Sequence, residues 1–266
     1  MSKRKISAKV IKQEKLLDEI YDLYLETDLA GEALPGQFVC LYSKDGSMLL
    51  PRPISICQAV SDEKMIRLVY RVAGKGTKEF SNLTSGDDIE VLGVLGNGFP
   101  IEKAVGKRLA IMGGGIGIPP MLQTLICARE RLIDSGGETD VVLGYRSESF
   151  LLTDFESVAG KEHVFVTSDD GTSGIKGNVL DAAEKYDLQP EVIFACGPMP
   201  MLRAIKAYAE KNGIEAYISL EERMACGVGA CLGCVCKTSD IDEHSKVRNS
   251  RICTDGPVYL SRDVLI

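Results

Sequence analysis

The sequence predicts a multidomain protein of mixed α+β and α/β class: a small antiparallel β-barrel, a doubly wound parallel-sheet domain and a small C-terminal domain. Three observations predict it. Short strand-forming runs separated by turn residues fill residues 1–100. Apolar runs alternate with helical segments over 101–220, which is the pattern of a parallel sheet covered by helices. Residues 221–266 contain five cysteines, four of them at a defined spacing, and we expect this segment to form the third domain.

Within residues 1–100, three runs are rich in strand formers, at 20–25, 37–42 and 66–71. The turn pairs Asp45-Gly46 and Ser85-Gly86 separate such runs. The helix expected here covers 77–83.

The second domain alternates five predicted strands with four predicted helices. The strands are expected at 109–112, 139–145, 163–167, 192–195 and 216–220, and the helices at 119–132, 153–158, 179–186 and 199–211. Thr153 and Glu156 have the spacing of a capping box at a helix start. Ligands on such a sheet bind at the carboxyl ends of the strands, where the glycine-rich turns lie.

Composition narrows the possible partners. Of the 266 residues, 45% are hydrophobic and 26% are charged, which is usual for a folded domain. The net charge of −7 argues against nucleic acid as a partner, since phosphate binding needs a basic face.

The uncharged stretch 109–128 is interrupted by four glycines and Pro119-Pro120, so we expect a strand, a turn and a buried helix rather than a membrane span. No targeting segment is visible, and a cytoplasmic location is expected.

The C-terminal cysteines have the spacing C-x4-C-x2-C, followed after eighteen residues by a fourth: they are Cys226, Cys231, Cys234 and Cys253. This is the plant-type arrangement for a [2Fe–2S] cluster. The glycines at 227, 229 and 233 are expected to adopt positive φ and to turn N–H groups inward. Zinc would prefer a second C-x2-C pair, and disulfides suit short secreted chains, so both alternatives fit less well. The segment 238–251 is expected to be a solvated hairpin or loop.

The other five cysteines are expected to lie outside the ligand set. Cys40, Cys57, Cys127 and Cys196 have apolar surroundings in the sequence and are predicted to be small buried hydrophobes. Cys236 is a packing neighbour or a substitute ligand.

Two motifs in the barrel point to an anion. Arg52 begins the run Arg-Pro-Ile-Ser on a strand, and Gly74-Lys-Gly76-Thr77 opens the short helix. A guanidinium and a helix start in one small barrel could hold a pyrophosphate between them. Either motif alone would be read as a surface charge or an ordinary turn.

Two glycine turns follow strands of the second domain. Gly113-Gly-Gly-Ile-Gly117 leads into a helix through Pro119, with Ile118 where a Rossmann fingerprint has its third glycine. Cys196-Gly-Pro-Met ends the fourth parallel strand. Their order on alternate βα units favours ligand binding over a purely structural role.

Together these motifs resemble the ferredoxin–NADP reductase superfamily. The resemblance implies that the barrel binds FAD and that the second domain binds a nicotinamide dinucleotide. The implied FAD residues are Arg52, Pro53, Ile54, Ser55, Val69, Tyr70, Arg71, Gly76 and Thr77. The implied NAD residues are Gly113, Gly114, Gly115, Gly117, Cys196, Gly197, Pro198 and Met199. After the second strand of this domain, Glu148 would favour NAD and Arg146 would favour NADP; the balance is for NAD.

The three implied cofactors also form a consistent set for electron transfer. A nicotinamide exchanges two electrons as hydride, a [2Fe–2S] cluster accepts one, and a flavin converts between them. The domain order, with the ending Cys253-Thr-Asp-Gly-Pro, resembles the electron-transfer subunits of NAD-linked, heteromeric dihydroorotate dehydrogenases. That resemblance implies an oxidoreductase of pyrimidine biosynthesis with a separate FMN-containing catalytic subunit, in a heterotetramer. Electrons from dihydroorotate would then pass through the cluster and FAD to NAD⁺.

Two alternatives remain at the level of sequence. One is the FAD and [2Fe–2S] subunit of a ferredoxin-dependent NAD(P) transhydrogenase or a hydrogenase diaphorase. The other is a non-enzymatic redox or zinc sensor on the same scaffold. No catalytic residue is assigned, and the two histidines, His163 and His244, lie away from the motifs.

Overall fold

Six antiparallel strands close into a barrel in the order β1-β2-β5-β4-β3-β6. The strands are β1 (Arg4–Leu17), β2 (Ile20–Glu26), β3 (Phe38–Tyr42), β4 (Arg52–Val60), β5 (Met65–Arg71) and β6 (Asp88–Leu95), and the short helix α1 (Lys75–Phe80) follows β5. The three predicted strand runs and the helix are confirmed to within a few residues. The barrel forms because alternate residues of each strand are apolar and turn inward, among them the fully buried Leu23, Leu25 and Leu68.

A seven-stranded sheet forms the second body, in the order β10-β9-β8-β7-β11-β12-β15. Its first six strands along the chain are β7 (Leu109–Gly114), β8 (Thr139–Tyr145), β9 (Val164–Ser168), β10 (Ile175–Lys176), β11 (Val192–Cys196) and β12 (Glu215–Ser219). The helices between them are α2 (Pro119–Leu132), α3 (Leu152–Ala159), α4 (Val179–Lys185) and α5 (Met199–Asn212). A two-stranded sheet of β13 (Val235–Lys237) and β14 (Asn249–Arg251) precedes β15 (Val258–Leu260).

The order of the parallel strands places the ligand site. β7 lies between β8 and β11, and the pairs β9-β8, β8-β7, β7-β11 and β11-β12 are all parallel. The chain runs outward in one direction through β8 and β9 and in the other through β11 and β12. The connections therefore diverge between β7 and β11, and the loops that follow these two strands border the crevice where such sheets bind ligands. The predicted doubly wound sheet is confirmed.

Three details differ from the sequence prediction. The capping box at Thr153 is wrong, because α3 begins at Leu152 behind Leu151 in a left-handed conformation, with no side-chain cap. The sheet has two more members than predicted, since the two-residue strand β10 extends one edge and the C-terminal β15 joins the other, antiparallel to β12. The segment 238–251, predicted to be a hairpin or loop, contains the whole of β14, while residues 242–245 lie outside the described residues.

The computed structural model describes residues 3–132, 135–241 and 246–266. Internal contacts divide the chain into two units. The first comprises Met1–Gly98, Glu221–Val235 and Ser250–Pro257, and the second comprises Phe99–Leu220, Cys236–Asn249 and Val258–Ile266. The boundaries at 100 and 220 in the predicted three-domain division stay a prediction. In the described part of the chain, no helix has the length and apolar character needed to cross a membrane.

Candidate cofactor and nucleotide sites

The barrel places the guanidinium of Arg52 directly against Gly76. A Cβ built on Gly76 would lie 2.5 Å from Nε and 2.7 Å from Cζ of Arg52. Arg52 lies at the start of β4 and also donates to the carbonyl of Leu50, while Gly76 lies in the first turn of α1. Only glycine leaves room for the guanidinium here. The two parts of the predicted anion site are therefore adjacent, with a positive charge at the start of the helix.

The other predicted FAD residues on β4 and α1 differ in burial and in hydrogen bonding. Pro53, Ile54 and Ser55 are half-buried along β4. Thr77 closes its own turn: its hydroxyl accepts from the N–H of Ala73 at 2.9 Å and donates to the carbonyl of residue 74 at 3.1 Å.

On β5, the predicted FAD residues are arranged around a buried tyrosine. Tyr70 is part of the barrel core, where its hydroxyl donates to Oε1 of Gln13 at 2.8 Å and burial raises the pKa of the phenol. Val69 is buried and Arg71 is exposed. A ligand over this strand would meet its backbone and Arg71, not the ring of Tyr70.

The four predicted cluster ligands lie in the first unit and form two pairs. The thiol of Cys231 is near enough to Cys226 to lower its pKa, and the thiol of Cys234 is near enough to Cys253 to raise its pKa. Among the described residues, no three Cys, His, Asp or Glu side chains form a group that could hold a single metal ion. A binuclear cluster with four cysteine ligands suits two pairs, whereas structural zinc needs four ligands around one point. The donor set therefore fits a [2Fe–2S] cluster better than zinc.

The backbone of the loop favours thiolate. The N–H of Val228 lies 3.4 Å from Sγ of Cys226, and the N–H of Gly233 lies 3.4 Å from Sγ of Cys231. Burial works to raise the pKa of Cys226, but the loop N–H groups and the Cys231 thiol outweigh it and lower the pKa to about 6. Burial raises the pKa of Cys253 to about 12, with the neighbouring Cys234 acting in the same direction. Of these two ligands, the half-buried Cys226 therefore has the more acidic thiol.

The glycines of this loop follow the prediction in part. Gly227 and Gly229 have φ of +70° and +85°, as expected for residues between cluster ligands. Gly233 does not adopt positive φ; Leu232 does instead, at +56°. The expectation for Gly233 is therefore wrong. The turn between Cys231 and Cys234 is made one residue earlier, and Gly233 contributes its N–H.

Cys40 connects the two parts of the first unit. It lies on β3 opposite Pro53 of β4, so it is the direct cross-strand neighbour of the predicted FAD motif. Its sulfur also faces the cysteine loop, since a Cβ on Gly227 would lie 3.0 Å from it. Burial raises the pKa of Cys40 to about 12, and the charges of Cys253 and Cys226 add to this. Cys40 is buried as predicted, but its position between the two motifs could not be read from the sequence.

The remaining cysteines differ in burial. Cys57 and Cys196 are fully buried, as predicted. Cys127 is half-exposed on α2 and accepts a hydrogen bond from Nε2 of Gln123 at 3.3 Å, so its predicted burial is only partial. Cys236 is half-buried on β13.

In the second unit, the two glycine turns meet at the crevice. A Cβ on Gly117 would lie 2.6 Å from the backbone carbonyl of Cys196 and 2.6 Å from the N of Gly197. A Cβ on Gly114 would lie 2.4 Å from Sδ of Met201 and 3.0 Å from Cδ of Pro198. The contacts of Gly117 are with backbone, which cannot move aside, so close packing requires a glycine there, whereas Gly114 lies against side chains. The structure therefore brings the two predicted NAD motifs together, with Gly113 and Gly114 at the end of β7 and Met199 at the start of α5.

A cavity of about 210 Å³ opens beside these turns. Its lining includes the glycine turn, the end of β8 and the end of β9, through Gly114, Gly115, Gly144, Tyr145, Arg146, Thr167, Asp169, Gly177, Asn178, Val179, Pro198 and Met201. Of the two charged residues considered for dinucleotide preference, Arg146 lines the cavity and Glu148 does not. Thr167 and Asp169 were missed by the sequence analysis. Their position at the carboxyl end of a parallel strand, Thr167 within β9 and Asp169 directly after it, was the available signal.

His163 is placed away from these sites. Its Nδ1 lies 2.9 Å from Oδ1 of Asp140, which gives the ring a local partner. This agrees with the structural role expected for an isolated histidine. His244 lies outside the described residues.

Comparison with known proteins identifies the family. A family model described as the iron-sulfur cluster binding domain of dihydroorotate dehydrogenase B matches residues 221–265. The dihydroorotate dehydrogenase B (NAD(+)) electron transfer subunit of Listeria innocua serovar 6a is 40% identical over 259 residues, covering 96% of this chain and 97% of the relative. The subunit of the same name from Bacillus mycoides is 38% identical over 262 residues, covering 97% of each chain. The chain belongs to this family of electron transfer subunits.

Solved structures support the fold. The chain matches a structure titled as the NADH-dependent reduced ferredoxin-NADP oxidoreductase, studied for flavin-based electron bifurcation, with a TM-score of 0.81 and 26% identity over 97% of this chain and 89% of that chain. The cytochrome b5 reductase domain of Ulva prolifera nitrate reductase matches with a TM-score of 0.62 and 21% identity, over 81% of this chain and 97% of that domain. The predicted superfamily resemblance and fold class are confirmed.

Proposed function

We propose that this protein is the electron-transfer subunit of a dihydroorotate dehydrogenase, which takes electrons from a catalytic partner subunit and delivers them to NAD⁺ by way of a [2Fe–2S] cluster and FAD. The family membership supports an oxidoreductase of this kind, since the match covers 96% of the chain and nearly all of the relative. It favours this function over the alternatives that the sequence left open, which are a ferredoxin-dependent NAD(P) transhydrogenase or hydrogenase diaphorase and a redox or zinc sensor.

One observation supports the relay most directly. Within the first unit, Cys40 pairs with Pro53 across the sheet and its sulfur lies against Gly227 of the cysteine loop. A single strand thus joins the predicted FAD motif to the predicted cluster loop. Electron transfer between these two motifs would therefore require no conformational change.

The chain's own residues have separable tasks. FAD and the cluster, when bound, supply the conversion between two-electron and one-electron transfer. We propose that the guanidinium of Arg52 holds the FAD pyrophosphate beside Gly76, and that the half-buried strand from Pro53 to Ser55 supports the flavin. Backbone groups of Val69, Tyr70 and Arg71, with the turn at Thr77, would complete this site.

The cluster would be held by the two cysteine pairs, Cys226 with Cys231 and Cys234 with Cys253. The loop N–H groups lower the cost of keeping the ligands as thiolates, because they donate toward sulfur. Only Cys231 of the four is exposed, which leaves this side of the loop accessible to a partner.

On the nucleotide side, the turns at 113–117 and 196–199 would receive NAD at the crevice between β7 and β11. The NAD residues proposed from the sequence are Gly113, Gly114, Gly115, Gly117, Cys196, Gly197, Pro198 and Met199. The side chain of Cys196 is fully buried, so its contribution would come from the backbone.

The name of the relatives, electron transfer subunit, supports a partner that carries out the oxidation. We propose that this partner contains FMN, that the two chains assemble as a heterotetramer, and that the assembly is cytoplasmic. None of these three details is needed for the relay within this chain.

The substitution Cys231→Ser tests the relay. It removes one ligand from an exposed position, so the cluster should be lost or altered while the barrel and the nucleotide turns stay intact. Anaerobic NADH should still reduce the bound flavin at close to the normal rate, whereas passage of electrons between flavin and partner should fall at least about a hundredfold. Stopped-flow absorbance separates the two steps.

Cys127→Ser is the matched control, since Cys127 is half-exposed on α2 and outside both cysteine pairs. It should leave both steps unchanged. If Cys231→Ser blocks NADH reduction of the flavin in a folded protein, the assignment of separate sites is wrong. If the purified protein contains zinc and no flavin, the sensor alternative replaces the relay.

A further inference from the structure

We propose that the thiol of Cys40 donates a hydrogen bond to the [2Fe–2S] cluster and thereby raises the reduction potential of the cluster. This inference rests on the proposed function, because it concerns the cluster that the cysteine loop would hold. The cysteine loop is the segment 226–234, which carries three of the four ligands. Cys40 acts through the cluster, so it is a positioning residue and not a ligand or a catalytic group.

The side chain of Cys40 points out of the barrel. Val39 and Leu41, its neighbours on β3, belong to the hydrophobic core inside the barrel. Successive side chains of a strand point to opposite faces, so Cys40 lies on the outer face of β3. It is nevertheless completely buried. Another part of the chain must therefore cover this outer face.

The cysteine loop provides that cover. A Cβ built on Gly227 would have Sγ of Cys40 as its nearest neighbour, at 3.0 Å. Its next contacts would be Cδ1 of Leu95 at 3.3 Å and Cδ2 of Leu92 at 4.0 Å, both on β6. Leu92 is the cross-strand partner of Cys40. Gly227 therefore rests on a floor of these three side chains, with the sulfur closest to it.

Within this floor, Cys40 supplies the hydrogen-bond donor, since the other two side chains are leucines. The thiol makes no hydrogen bond to any residue in the described part of the chain. A buried cysteine without a partner is often no more than a small apolar residue. This one, however, is close enough to three ligands to be affected by their charges; they are Cys253, Cys226 and Cys234. The unpaired donor therefore faces the position of the cluster.

The chemistry of the cluster suits this donor. A thiol packed in apolar surroundings keeps its proton. No ligand sulfur accepts a hydrogen bond from Cys40, so we assign an inorganic sulfide of the cluster as the acceptor. Reduction adds one electron to the cluster, while the proton stays on Cys40 and no bond forms or breaks. Because the added electron makes the cluster sulfur atoms more negative, the hydrogen bond stabilises the reduced form more than the oxidised form.

The experiment measures the potential of the cluster rather than turnover. The holoprotein is purified without air and titrated with dithionite and redox mediators, while electron paramagnetic resonance follows the reduced cluster. In Cys40→Ala, the ratio of reduced to oxidised cluster at a fixed potential should fall about threefold to tenfold, as expected for loss of one hydrogen bond. A tenfold change corresponds to a shift of about 59 mV for a one-electron couple.

Cys40→Ser separates the hydrogen bond from the packing of the sulfur, because serine lacks the sulfur but keeps a donor. Its ratio of reduced to oxidised cluster should not fall below about half of the wild-type ratio. Cys57→Ala is the matched control, since Cys57 is another completely buried cysteine of the barrel, on β4. It should leave the ratio unchanged, and thermal melting shows that each variant is folded.

A second measurement detects the proton itself. When the cluster is assembled in deuterium oxide, pulsed electron paramagnetic resonance of the reduced protein should show a deuteron coupled to the cluster in the wild type and in Cys40→Ser. The same coupling should be missing in Cys40→Ala, in which only the deuterons of the loop N–H groups remain.

Three outcomes would overturn the proposal. The first is a wild-type ratio in Cys40→Ala. The second is an equal fall in Cys40→Ala and Cys40→Ser, which would assign the effect to packing of the sulfur. The third is complete loss of the cluster from a folded Cys40→Ala protein, which would make the residue a support for the loop. The proposed function fails differently: in that case the wild type itself shows no reducible iron–sulfur signal, and this inference fails with it.

Discussion

At the scale of single residues, the sites are organised by glycines whose missing side chains make room for other groups. Gly76 makes room for the guanidinium of Arg52, and Gly117 makes room for the backbone at Cys196. Gly227 combines a positive φ with a close approach to Cys40. The sequence predicted a role for the motif of each glycine, and for Gly227 a positive φ, but not the contact that each one makes. The group that each one accommodates is visible only in the folded chain.

Gly76→Ala should therefore reduce FAD binding. The new Cβ would lie 2.5 Å from Nε of Arg52 and would push the guanidinium away from the start of α1. Loss of charge-assisted hydrogen bonds to the pyrophosphate should raise the Kd for FAD about tenfold to a hundredfold. The ratio of FAD to protein after desalting measures the effect.

Gly74→Ala is the matched control two residues away. No atom lies within 4 Å of a Cβ at Gly74, and its backbone is extended, so FAD content should be unchanged. Equal FAD loss in both variants would show that the helix start, and not the position of Arg52, controls binding.

At the scale of elements, the site in the second unit depends on two loops held in contact. β7 and β11 are neighbouring parallel strands, and the loops that follow them touch through Gly117 and the backbone of Cys196 and Gly197. The parallel pairing fixes both loop starts at one edge of the sheet. The close contact of Gly117 with the backbone of Cys196 and Gly197 then prevents the two loops from moving relative to each other. The crevice is therefore already formed in the absence of a ligand.

Gly117→Ala should disrupt this contact. Backbone atoms at 2.6 Å from the new Cβ cannot rotate away as a flexible side chain could, so the loops must separate. We expect a loss of about 1–3 kcal/mol in the free energy of unfolding, as for other overpacked sites, and at least tenfold weaker NADH binding. Thermal melting and a fluorescence titration with NADH measure the two effects.

Gly46→Ala serves for comparison, since no atom lies within 4 Å of a Cβ there and its φ is not left-handed. It should change stability by no more than about 0.5 kcal/mol. Unchanged NADH affinity in Gly117→Ala would mean that the contact between the loops does not shape the crevice.

At the scale of the whole molecule, the chain enters and leaves each unit more than once. After Leu220 it joins the first unit with the cysteine loop, and from Val258 onward it belongs to the second. There β15 pairs with β12, while Lys206 on α5 donates to the carbonyls of Ser261 and Val264 at 2.8 and 3.0 Å. The final residues therefore stabilise the nucleotide-binding unit, although they follow the last cluster ligand in sequence.

Deleting residues 258–266 should destabilise the second unit. The deletion removes two buried valines, Val258 and Val264, each worth about 1.5–3 kcal/mol, and leaves the ammonium of Lys206 without its carbonyl partners. At about 2–4 °C per kcal/mol, the melting temperature should fall by roughly 10 °C. Hydrogen exchange should show the largest increase in β12 and α5.

Leu265→Ser tests the same segment without removing a buried group, because Leu265 is 54% exposed. It should melt with the wild type. A deletion that leaves the melting temperature unchanged would show that β15 is not a stabilising member of the sheet.

The sequence by itself determined the elements, the fold class and the chemistry of the motifs. Cysteine spacing indicates a cluster because the ligands need fixed intervals along one loop, and alternation of β and α segments indicates a parallel sheet because each apolar face must be covered. The helix α2 was predicted with both ends correct, since Pro119 begins it and its apolar period is clear. These signals depend on residues that are close along the chain, and such short-range patterns can be recognised in a sequence.

Tertiary structure decided which residues meet. The contact of Arg52 with Gly76, the position of Cys40 beside Gly227, and the cavity with Thr167 and Asp169 join segments that are distant along the chain. Strand register and packing bring such residues together. Neither can be deduced from the residue spacing within any single motif. Glu148 follows the second strand of its domain, but the acid that lines the cavity is Asp169, from the loop after a different strand. A sequence therefore names the chemical groups of a site, while only the packed chain determines their distances.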